Sequence, residues 1–113
     1  RKESDYSKFC LENEHYLIRT FKMLMEKNIS IVLVSPPYYW DCGFKNINNE
    51  QKRFLSEYMV KLCEKYPLVH YLNIESDTSY IYDDFFNETH LSEIGAEKFT
   101  TRLNNYIKDF LSE

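Results

Sequence analysis

The sequence predicts an α/β domain in the order α-β-α-β-α, with its strands parallel. Two short runs rich in β-branched residues, "ISIVLV" and "LVHYLNI", are separated by a helical pattern. Apolar residues also recur at helical spacing before the first run and after the second. Strands that alternate with helices need crossover connections, and crossovers lay the strands parallel.

The first helix is expected between Asp5 and Asn28, strongest from Glu12 to Lys27, with Phe9, Cys10, Tyr16, Leu17, Phe21, Leu24 and Met25 on its apolar face. Asn28 is the expected stop. Ile29–Val34 then reads as a strand covered on both faces, closed by Pro36 and Pro37, which cannot continue a ladder. The loop "YYWDCGFKN" follows. A second helix is expected from about Asn49 to Lys65, burying Phe54, Leu55, Tyr58, Met59, Leu62 and Cys63, and ending at Tyr66-Pro67. The second strand spans Leu68 to Ile74, and the polar segment "ESDTSYIYDDFFNETH" leaves it. Ser92 is a good N-cap for a last helix to about Leu111, with Ile94, Phe99, Leu103, Tyr106, Ile107, Phe110 and Leu111 turned inward. Glu93 in its first turn suits the helix dipole.

The chain has 113 residues, the size of one domain or a piece of one. It is 43% apolar, with ten Tyr and eight Phe, which is too much apolar and aromatic surface for a disordered segment. Its net charge is −4 with the signs interspersed, so no basic footprint for nucleic acid is present. Cys10, Cys42 and Cys63 are widely spaced and odd in number, which fits neither a disulfide framework nor zinc. Cys10 and Cys63 read as small buried hydrophobes, and Cys42 as a loop residue. No cofactor is implied, and the compartment is left open. Two strands make a poor sheet, so the chain reads as a fragment completed by an N-terminal half or by a second protomer.

Open parallel sheets bind ligands beyond the carboxyl ends of their strands. The first strand delivers Ser35, Tyr38, Tyr39, Trp40 and Asp41 there. Tyr38, Tyr39 and Trp40 either stack on a sugar or acyl group or form a lid over the core. The segment after the second strand ends in His90, immediately before a helix, where a histidine can act as a general base if a carboxylate orients its other nitrogen. Asp83, Asp84 and Glu88 are the carboxylates in reach. His15 belongs to a solvated helix face and His70 to the core or a sheet face, while Glu93, Glu97 and Lys98 read as solvated. Asp77 and the Asp83-Asp84 pair are of the type that binds hard cations, but they lack calcium-loop spacing.

The segment "DDFFNETHLSEIGAEKFTTRL" resembles the C-terminal signature of SGNH/GDSL-type hydrolases, D-x-x-H-L-(N/S) followed after two residues by G-A and an amphipathic helix. The match is close over "HLSEIGAEKF", and "ISIVLVSPPYYW" is similar to a family strand that ends in a Ser/Thr-Pro-Pro step. The resemblance covers roughly Ile29 to Leu111. It implies a flavodoxin-like three-layer sandwich of which this chain is the C-terminal part, and acyl-ester chemistry on an acylated carbohydrate or other ester. Members with this ending include esterases, O-acyltransferases of cell-surface polysaccharides and D-alanyl-transfer proteins of teichoic acid. By position His90 is the base.

The sequence departs from that pattern twice. Asn87 stands where the family has Asp, with Asp84 or Glu88 as substitutes if the turn allows. No Gly-Asp-Ser occurs, and Ser35 ends a strand without a nucleophile elbow. The chain alone is therefore expected not to hydrolyse esters. Two other readings stand beside this one: a non-catalytic relative that binds a glycan or partner through its aromatic loops, and a structural unit completed by another chain.

Overall fold

The computed structural model describes residues 3–39, 49–87 and 89–111, with side chains for all of these except 3–10 and 49–51. Helix α1 runs Glu3–Glu26, strand β1 Ile31–Ser35, helix α2 Asn49–Lys65 and strand β2 Val69–Asn73. A 3-10 turn at Tyr82–Asp84 leads into a short hairpin, β3 Phe85–Asn87 and β4 His90–Leu91, and helix α3 Glu93–Leu111 closes the chain. The protein is thus of mixed helix and strand type around a small parallel sheet. Trp40, Asp41, Cys42, Glu88 and the side chains of Phe9 and Cys10 lie outside the described residues.

Helix α1 stops where its last turn can be capped. Asn28 adopts a left-handed backbone, φ 58°, which asparagine tolerates better than most residues. The Asn28 N–H then donates to the Met25 carbonyl and the Ile29 N–H to that of Leu24, satisfying carbonyls the helix leaves open.

β1 and β2 pair in parallel, Ile31 opposite Val69 through Ser35 opposite Asn73. Because side chains alternate along a strand, the two faces carry different cores. Val69, Ile31 and Leu33 pack with Phe21 of α1 and Leu62 of α2. Leu72 and Ile74 pack with Tyr80, Phe85 and Leu91, and with Phe99, Leu103 and Tyr106 of α3. His70 is half-buried on that second face, its ring stacked on Phe110 at 3.9 Å, which agrees with its expected place on the sheet. The Cys63 thiol is half-buried, and burial pushes its pKa up.

Five expected core positions are corrected. Tyr16, Phe54 (72% exposed), Leu55, Ile94 and Leu111 face outward. Two strands about 5 Å apart give a sheet too narrow to cover the apolar faces of three helices along their full width. Ile31–Val34 are likewise only half-buried rather than covered on both faces. Among the described residues, no helix is long and apolar enough to cross a membrane.

Candidate active-site corner

The segment after β2 is not a plain loop. It folds back into the β3–β4 hairpin, in which Phe85 faces Leu91 and Asn87 faces His90, with a bulge between. Two and three residues are too few to show alternation, which is why the pattern of apolar residues did not announce them.

The hairpin is clamped to α3. Ser92 is the N-cap as expected: its Oγ accepts the Gly95 N–H at 3.2 Å and donates to the Asp83 carbonyl at 2.7 Å. The Ser92 N–H donates to the Asp84 carbonyl at 2.9 Å. Gly95 is buried against that same carbonyl, and a Cβ built on it would lie 1.8 Å from the Asp84 oxygen. No side chain fits, so the glycine is what lets α3 reach the turn.

Asp84 is buried, and its carboxylate serves this scaffold. Oδ2 accepts the Ile81 N–H at 2.9 Å and the Lys98 ammonium at 3.0 Å. Burial alone would raise its pKa; the Ile81 N–H and the nearby Lys98 charge outweigh it and hold the carboxyl below its usual range. Among the described residues, no hydrogen bond joins Asp84 to His90. Lys98 is half-buried rather than solvated: besides Asp84 it donates to the Ser79 carbonyl, and it lies 4.8 Å from the centre of the Tyr80 ring. Asp77 is engaged locally, accepting the Ser79 N–H at 2.9 Å, and the bonds from Ser79 lower its pKa.

The group that meets His90 is Asn87. Its Oδ1 lies 2.8 Å from His90 Nδ1 and also accepts the backbone N–H groups of Thr89, at 3.1 Å, and His90, at 3.0 Å. Thr89 Oγ1 stands 3.1 Å from His90 Nδ1 and 3.4 Å from Asn87 Oδ1. Thr89 was not singled out from the sequence, although an Asn two residues before a Thr signals a side chain that folds over its own turn. Asn87, Thr89 and His90 are all solvent-exposed.

Beside the hairpin, aromatic rings from both strand ends meet. Tyr39, after β1, packs edge-on against Tyr82 (centroids 6.0 Å apart) and, with the rings tilted, against Phe85 (5.4 Å). Tyr38 carries the Lys52 ammonium 4.9 Å from its ring centre. Tyr82 is 74% exposed and Phe86 82%. Tyr82 belongs to "DTSYIYDDFF", one of the aromatic loops of the binder reading, but nothing in that stretch separates the buried Tyr80 from the exposed Tyr82. Ser35 is buried at the end of β1 with its Oγ 2.7 Å from the Tyr71 hydroxyl, a tie within the sheet.

Compared with protein-family models, curated proteins and solved structures, the chain matches none.

Proposed function

We propose that this chain is the histidine-bearing, C-terminal part of an SGNH-like ester hydrolase or O-acyltransferase acting on an acylated carbohydrate. The flavodoxin-like sandwich of that family would be completed by a segment that precedes Arg1 or by a second protomer, and that segment would supply the nucleophilic serine. The observation that carries the reading is the contact between Asn87 Oδ1 and His90 Nδ1 at 2.8 Å. A side chain three residues before the histidine reaches its inner nitrogen, as a triad's third member must. His90 Nε2 is then the atom that removes the serine proton and later returns it to the leaving group.

Two further features support this reading. The exposed apolar residues Phe54, Ile94 and Leu111 are what a completing segment would cover. The Tyr39–Tyr82 ring pair suits the apolar face of a sugar, one of the two uses expected of Tyr38, Tyr39 and Trp40 beside a lid over the core. Esterase assays on the full-length product of the reading frame test the proposal. p-Nitrophenyl acetate hydrolysis should fall by at least about 10²-fold in His90→Ala; an unchanged rate would overturn it.

Asn87 favours a second reading, a non-catalytic relative that binds a glycan. An amide orients the imidazole but brings no charge to steady the imidazolium, and the Asp-to-Asn change costs about 10⁴-fold in the serine-protease triad. Retained oligosaccharide binding, with no esterase activity even in Asn87→Asp, would decide for the binder.

A further inference from the structure

We propose that Thr89 is a positioning residue for His90, acting with Asn87 to hold the imidazole in the tautomer whose Nε2 accepts a proton. The inference rests on the reading of His90 as a general base, but its geometry can be tested without activity.

Backbone N–H groups only donate, and those of Thr89 and His90 both point at one atom of the Asn87 side chain. That atom is therefore the carbonyl oxygen, which removes the usual ambiguity of an asparagine. His90 Nδ1 lies 2.8 Å from the same oxygen. Two lone pairs facing each other at that distance repel, so Nδ1 carries the proton and donates it. A neutral imidazole has one N–H, which leaves the lone pair on Nε2.

The Thr89 hydroxyl, 3.1 Å from Nδ1, both accepts and donates. With Nδ1 protonated it is a second acceptor for the same N–H. When Nε2 takes the nucleophile's proton, the imidazolium keeps its Nδ1–H shared between the two oxygens, and neither Asn87 nor Thr89 gains or loses a proton. If Asn87 is removed, the same hydroxyl is free to donate to Nδ1. The proton then sits on Nε2, where the ring can no longer act as a base. The effect of Thr89 on the tautomer thus changes sign with Asn87.

Long-range proton–nitrogen NMR of the whole chain, at a pH where the imidazole is neutral, tests this. Wild type should show His90 predominantly as Nδ1–H, and Thr89→Ser should match it. Thr89→Val should lower the ratio of Nδ1–H to Nε2–H by about two- to fivefold, the effect of losing one shared hydrogen bond. Asn87→Ala should lower the ratio further, and adding Thr89→Val to it should raise the ratio again, a non-additive cycle. A wild-type ring that is mainly Nε2–H, or a Thr89→Val ratio equal to wild type, would overturn the proposal. Should Asn87→Ala disturb the turn, the two Thr89 variants decide alone. If the tautomer pattern holds while no His90-dependent esterase is found, the clamp stands and the enzyme reading fails. The opposite result sinks the clamp alone.

Discussion

Gly95 and Asp84 approach so closely that the first turn of α3 rests on the carbonyl of the last residue of the 3-10 turn, just before the hairpin; a methyl group on Gly95 would sit 1.8 Å from that oxygen. The obstacle is backbone, which no side-chain rotation relieves. Gly95→Ala should therefore destabilise the fold by about 1–3 kcal/mol or more, read as a lower urea midpoint. A midpoint within error of wild type would show that α3 is free to back away from the turn.

The pair formed by buried Asp84 and the partly exposed Lys98 gives the same scaffold a pH dependence. The Asp84 pKa is held below its unfolded value, so its contribution is fully present above about pH 4 and is lost as pH falls through the folded value. Asp84→Asn should lose less stability than wild type between about pH 4 and pH 2. Lys98→Met leaves the carboxylate buried without its cation. It should cost about 1–3 kcal/mol at pH 7, less than a fully buried pair because the Lys98 side chain is 38% exposed. Urea titrations at three pH values check both.

Asn87→Asp places a charge at the position that already touches His90 Nδ1. In the full-length product, esterase kcat should rise by about 10²-fold or more, short of the serine-protease limit because the corner is exposed. An unchanged kcat would mean that imidazolium stabilisation does not limit the reaction.

Tyr82 and Tyr39 are expected to hold the sugar and not the reacting ester. Tyr82→Ala should raise KM for an acetylated oligosaccharide by about two- to tenfold, the worth of one ring contact, while leaving p-nitrophenyl acetate kinetics unchanged. Equal effects on both substrates would place Tyr82 in the scaffold.

Much of this was legible from particular residues. The Asn28 stop and the Ser92 cap announce themselves because each side chain or backbone preference acts within four residues. The helices follow from periodicity, and the parallel strands from short β-branched runs separated by a helical crossover. The hairpin did not, since its five residues are ordered by what α3 and the turn do together. Lys98 looked solvated because its neighbours Glu93 and Glu97 are exposed, and only the fold brings Asp84 under it. Phe54, Ile94 and Leu111 lie on predicted inner faces, yet the sheet beneath them is two strands wide.

The central claim, that His90 is the base of an acyl-transfer site whose serine lies elsewhere, is met most directly by fluorophosphonate labelling of the full-length product. The account predicts covalent labelling of one serine outside these 113 residues, and its loss in His90→Ala. No labelling under conditions that label a control SGNH enzyme, or equal labelling with and without His90, would contradict it.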